Sequence, residues 1–248
     1  SAFPAEDGNA KSGVFDIGFR NGNSKKRETT VQLGVITGLE ATTEGPINKE
    51  KGSSYLVGYR YSLAGVAQAA GVDIGTTATP TYQDLTFKLN GGTTKFGKFS
   101  LFGILASSTI NIDGGNSNTL YGNGNQVDFA SKIGILGLNH FKQINSKSYI
   151  SSTIGLNYTN NTINSYDFDR ATSTSFTKEM SDVGKTGYNF STTYNLKINS
   201  KVFFKAGIQD ELMGLDLFYK TKQNSNDAWK QIWDNSSYTN LAQAFIHG

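Results

Sequence analysis

The chain has 248 residues, 37% hydrophobic and 17% charged, with 23 Lys and Arg against 20 Asp and Glu and no cysteine. A net charge of +3 with no basic cluster among the aromatics argues against a nucleic-acid partner, and the lack of cysteine excludes thiolate catalysis, disulfides and Cys-ligated metal. Mean hydropathy is −0.38 and no apolar run nears the ~18–20 residues of a membrane helix, a test that membrane β-barrels escape because their apolar residues alternate with polar ones.

The first ten residues, SAFPAEDGNA, are turn-rich. They lead into Ser12–Arg20, where Val14, Phe15, Ile17 and Phe19 form a short strand pattern broken by Asp16, Gly18 and Arg20. Residues Asn21 to Lys26 are a polar turn. Strand patterns then follow over Arg27 to Ile36, Leu39 to Ile47, Ser53 to Ser62, Asp84 to Asn90 and Lys98 to Ile110. They continue over Val127 to Lys142, Ser148 to Ser165, Met180 to Lys197, Val202 to Tyr219 and Thr239 to His247. A short helix is expected within Leu63 to Gly71, where Leu63, Val66, Ala67 and Ala70 share one helical face.

Three strands alternate most cleanly. Tyr55, Val57, Tyr59 and Tyr61 share a face, as do Ile150, Ile154, Leu156 and Tyr158, and Tyr188, Phe190, Thr192, Tyr194 and Leu196. Their opposite faces are mostly Gly, Ser, Thr and Asn, where a solvated soluble sheet carries more Lys and Glu. Short connections (Asn48 to Gly52, Gly91 to Gly97, Gln143 to Lys147, Asn199 to Lys201) alternate with long ones (Leu63 to Gln83, Asp113 to Gln126, Phe168 to Glu179, Lys220 to Tyr238). This is the asymmetry of an outer-membrane barrel. The pattern predicts an all-β, antiparallel up-and-down sheet of about ten transmembrane strands, which alone could close a small barrel or remain a curved open sheet with two raw edges.

Few residues invite chemistry. His140 and His247 lack a second His or a Cys at ligand spacing. Gly184-Lys185-Thr186 lacks the upstream glycine of a phosphate loop, since Glu179 stands there, and no Gly-x-Ser-x-Gly elbow occurs. Asp113-Gly114-Gly115 and Asp167-Phe168-Asp169 lack calcium-loop spacing and read as solvated turns. No catalytic residue, metal or cofactor is expected. Arg60, Lys88, Lys132 and Lys205 lie within strands, where a lipid-facing charge costs ~2–4 kcal/mol at mid-membrane. They are therefore expected to point inward, into lumen water or toward carboxylates such as Glu6 and Asp7. Trp229 and Trp233, on one face of a helical turn in an outer loop, and Tyr121 in another loop, are the candidate substrate contacts.

Ala5, Glu6, Asp7, Gly8, Asn9, Ala10, Ser12, Gly13, Val14, Phe15 and Asp16 resemble the closing run of the plug domain in TonB-dependent outer-membrane receptors. The likeness covers about the first tenth of the chain, with a weaker likeness in strand layout beyond. It implies that residues 1–24 end a plug and 25–248 begin the barrel, of 22 strands in that family. It further implies an outer-membrane location in a Gram-negative bacterium, contact with outer-membrane lipid, and uptake of a large scarce solute: an iron chelate, cobalamin, oligosaccharide or peptide. Transport would be powered by an inner-membrane TonB energy complex whose contact segment is not in this stretch, so the chain is expected to be a fragment. A small self-contained outer-membrane barrel, acting as adhesin or pore, and a soluble glycan-binding β protein are the alternatives.

Overall fold

Ten alternating segments become ten strands, and each pairs with the next. The computed structural model describes residues 4–7, 13–14, 17–34, 38–71, 78–112, 126–169 and 174–248. Its strands are β1 (Glu28–Gly34), β2 (Gly38–Asn48), β3 (Ser53–Tyr61), β4 (Thr79–Thr94), β5 (Gly97–Ile112), β6 (Gln126–Asn145), β7 (Ser148–Asp169), β8 (Thr174–Lys197), β9 (Phe203–Thr221) and β10 (Lys230–His247). They form one antiparallel up-and-down sheet in strict sequence order, with β1 and β10 as open edges. Helix among the described residues is limited to a 3-10 turn at Ala5–Asp7 and to α1 (Ala64–Ala69), which lies where a helix was expected.

Several boundaries differ from the sequence expectation, and β4 also runs on to Thr94 where a connection was expected from Gly91. The connection expected over Phe168 to Glu179 is mostly strand, because Asp167 pairs with Phe176 and Asp169 with Thr174 beyond a bulge at Ser165/Tyr166. Lys178 and Asp167 close that extension with an ion pair of 2.9 Å. β4 starts at Thr79 rather than Asp84, pairing with β5 after β3 has ended. β10 starts at Lys230 rather than Thr239, because the polar run 230–238 finds a ladder along Gly214 to Thr221. A run with no apolar alternation gives no strand signal, yet backbone pairing needs none. The connection 113–125 lies outside the described residues.

Tracing the register across the sheet assigns every strand residue to one of two faces. One carries Tyr55, Val57, Tyr59 and Tyr61 of β3, then Leu85, Phe87 and Leu89 of β4, and Phe99, Leu101 and Leu105 of β5. It continues through Leu136 and Leu138 of β6, Ile150, Ile154, Leu156 and Tyr158 of β7, and Tyr188, Phe190, Tyr194 and Leu196 of β8. Phe204, Ile208 and Leu212 of β9 and Tyr238 and Ile246 of β10 complete it. The stretches Ile150–Tyr158, Tyr188–Leu196, Phe204–Leu212 and Tyr238–Ile246 are each nine residues deep, and Asp210, opposite Phe190, is the one charged residue that they place on the apolar face.

Two glycines on this face, Gly103 and Gly214, sit under cross-strand aromatics. The Phe87 ring lies 2.6 Å from where a Cβ on Gly103 would be, and the Tyr238 ring 2.7 Å from that of Gly214. Such pairs let a large ring cover a residue with no side chain of its own. The hairpin joining β1 to β2 needs glycine for another reason. Gly38 has φ +78°, and a Cβ there would meet the Tyr61 carbonyl oxygen at 2.1 Å. Gly38→Ala should cost about 2 kcal/mol or more, from left-handed strain and the backbone clash together, read as a lowered urea midpoint of the refolded protein.

No second layer covers the apolar face among the described residues. Phe245, on the other face, is the one buried large hydrophobic side chain among them, while Ile154 is 53% exposed and Tyr188 53%. A compact monomer of 26.9 kDa exposes about 11,000 Å². This chain exposes 16477 Å². Among the described residues the sheet is therefore a wall without a core of its own.

Candidate functional site

The face opposite the apolar one holds a seat for the N-terminal segment. In its lower half, toward the short turns, it carries Ser54, Asn90, Ser100, Asn139, Thr153, Ser191, Gln209 and Gln243 in one register row. Residues 17–24 run across the β2–β5 part of this face. The Arg20 guanidinium grips the Glu44 carboxylate through both nitrogens, at 2.7 and 2.6 Å. Asn23 donates its backbone N–H to the same carboxylate at 2.7 Å and its side-chain amide to Glu28 at 2.6 Å. The Glu44 hydrogen bond raises the Arg20 pKa, the direction expected of a charge-assisted pair.

Lys88 donates from Nζ to the Phe19 carbonyl at 2.6 Å, and the Phe19 ring packs against Phe102 at 6.1 Å. Gly22 is buried so close to β3 that a Cβ on it would lie 1.9 Å from the Tyr55 carbonyl oxygen. Farther along the sheet, Lys205 forms an ion pair with Glu6, and Gln209 donates to the Glu6 carbonyl at 3.1 Å. The opening residues are thus tied at two places to one face, by cations that the strands present and by a carboxylate that receives an arginine.

The four strand cations do not share a fate. Arg60, Lys88 and Lys205 lie on the polar face, and Arg60 pairs with its cross-strand neighbour Asp84 at 2.7 Å. Lys205 engages Glu6 rather than water alone, the pairing the sequence left open. Lys132 departs from expectation. The register puts it on the apolar face, between Ser107 and Asn160, one side-chain step beyond Gly134. It stands past the apolar stretch of β6 rather than within it.

The candidate contact residues separate. Trp233 is in β10, opposite Tyr219, with their rings 5.6 Å apart. A bulge at Gln231/Trp233 shifts the pairing by one residue. Trp229 therefore falls on the other side, against Lys220 at 4.6 Å and Lys222 at 5.4 Å. The expectation of one helical face fails because the segment is extended and the bulge reverses its alternation. Tyr121 lies outside the described residues, as do Gly8, Asn9, Ala10, Ser12, Phe15, Asp16 and Asp113. His140 stacks on Phe99 at 4.6 Å, with Nε2 2.9 Å from the Phe96 carbonyl oxygen. His247 ends β10 opposite Lys205. No group of three His, Cys, Asp or Glu among the described residues is arranged to hold a metal ion.

Sequence reasoning missed a second apolar zone. Toward the long connections the apolar residues change face: Ile104, Ile135, Ile133, Val183, Leu215, Leu217, Tyr219 and Trp233 lie on the side that is polar lower down. The signal was present as adjacent apolar residues, Ile135-Leu136 and Leu212-Met213, where the alternation slips by one.

Deleting the Lys205–Glu6 pair should have a modest effect, since the two side chains are 20% and 33% exposed. A double-mutant cycle on Lys205→Met and Glu6→Gln should give a coupling of about 0.5–1 kcal/mol, with faster proteolysis near residue 6 as a second readout. No family model, curated protein or solved structure matches the chain.

Proposed function

We propose that the chain is part of a TonB-dependent outer-membrane receptor, with residues 1–24 ending the plug and 25–248 beginning the barrel. The observation that carries this reading is the division of labour between the faces: an uncovered apolar band on one, a seat for the N-terminal segment on the other. Four strands carry nine-residue bands on the apolar face, against the ~9–11 residues that a tilted strand needs to cross a bilayer. Tyr59, Tyr158 and Tyr238 lie along one register row at the upper border of the band, where interfacial aromatics belong. The ties at Glu6, Phe19 and Arg20 supply the plug-to-wall contacts that such a receptor needs.

Function then follows from mechanics. A wide barrel with a polar lumen passes a large solute only when its plug is loosened. The ties are few, local and mostly polar, so a pull transmitted from an inner-membrane energy complex breaks them one at a time. The solute is an iron chelate, cobalamin, oligosaccharide or peptide. The open edges favour this over a self-contained barrel: β1 has 7 residues and β10 has 18, lengths that do not match as ladder partners.

Two measurements test the reading. Cells carrying the gene should place the protein in the detergent-soluble outer-membrane fraction, and their growth on one of the four solute classes should fail when the energy complex is deleted. A product that is monodisperse in buffer without detergent would overturn it.

A further inference from the structure

The geometry points to a binding site for an anionic membrane lipid on the apolar face, with its phosphate-bearing head at Lys132 and an acyl chain laid over Gly134. The proposal rests on the membrane reading above and adds a specific occupant to it.

Gly134 is the notch that makes the site. Other glycines at this level of the apolar face, Gly103 and Gly214, are covered by the rings of Phe87 and Tyr238. At Gly134 a Cβ would meet only Leu105 at 3.8 Å and Tyr158 at 3.9 Å, both ordinary contacts. The backbone there is left bare between two walls. Two cavities meet at this notch and share Leu105, Gly134 and Tyr158. One, of about 440 Å³, runs down among Phe87, Leu136, Leu156 and Tyr188. The other, of about 400 Å³, runs up past Tyr59, Gln83 and Ser107 to Lys132.

Chemistry changes along this groove as it does along a lipid. The lower part offers aromatic and aliphatic side chains. The upper part offers a phenol, an amide, a hydroxyl and an ammonium; Asp84 also lines it, but its carboxylate is paired with Arg60 on the opposite face. Lys132 has no ion pair among the described residues, and its register neighbours are the neutral Ser107 and Asn160. A lysine just beyond the apolar band can lay its stem on apolar surface and hold its charge at headgroup level. The matching ligand carries a negative head directly joined to a hydrocarbon chain. Free phosphate meets half of that description, and a neutral lipid the other half.

The test is native mass spectrometry of the protein in detergent, titrated with phosphatidylglycerol or phosphatidylcholine. Wild type should retain one phosphatidylglycerol at least five-fold more strongly than phosphatidylcholine. Lys132→Gln should remove that preference while leaving weak retention of both, and Lys132→Arg should restore it. Gly134→Phe, which fills the notch at a position where side chains fit, should abolish retention of both lipids. Circular dichroism and heat-modifiable gel migration verify that each variant is folded. Equal lipid retention in wild type and all variants, or competition by millimolar inorganic phosphate, would overturn the site while leaving the membrane reading intact. A protein that needs no detergent would overturn both.

Discussion

Ile154→Arg should lower the unfolding free energy by about 2–4 kcal/mol when the protein is refolded into lipid vesicles, the cost of an arginine at the middle of a lipid-facing strand. Ile154 is the central residue of the Ile150–Tyr158 band, pairs with Leu138 and Phe190, and is 53% exposed with no protein layer over it. The companion Ser151→Arg places the same charge on the opposite face, between Phe141 and Thr193, and should change stability by less than about 1 kcal/mol. The sign of the comparison separates the environments. In water an exposed isoleucine is replaced by arginine at little cost, and solubility improves. Chemical denaturation of both variants in vesicles decides it: equal stabilities would remove lipid from the apolar face.

Gly22→Val should release the N-terminal segment from the wall. Its Cβ would lie 1.9 Å from the Tyr55 carbonyl oxygen, and that atom belongs to a strand paired on both sides, so it cannot retreat. The segment must lift instead, and lifting it breaks the Arg20–Glu44 pair and the Lys88–Phe19 bond with it. Overpacking alone costs ~1–3 kcal/mol, and the lost charged contacts add to that. In planar bilayers the variant should show frequent large conductance events that wild type lacks. Proteolysis should cut near residue 20 at least ten-fold faster. Gly18→Val is the control, because nothing lies within 4 Å of a Cβ at that position. Unchanged conductance and proteolysis in Gly22→Val would mean that residues 17–24 are not a closing element.

Strand number and order could be read from the residues. The clearest case is Tyr55, Val57, Tyr59 and Tyr61 against Leu56, Gly58, Arg60 and Ser62, which alternate at period two and lie on two faces of one sheet. The helix in Leu63 to Gly71 could also be read, from its three-and-four spacing. The partner of Lys205 could not, because Glu6 lies 199 positions away and no local pattern links them. Nor could the extent of β10, whose first nine residues carry no alternation, nor the bulge that parts Trp229 from Trp233.

The sequence by itself determined that the chain is β, that its strands run up and down, and that most have one apolar and one polar side. These follow from side-chain periodicity and turn chemistry, which act over a few residues. Only the tertiary structure decided which apolar stretches line up across ten strands, where the band ends, and what lies on the polar side. Register is set by pairing between neighbours, and one bulge or slip moves every later side chain to the other face. The seat of the opening residues depends on that register, since it alone brings Glu44, Lys88 and Lys205 to the same side of the wall.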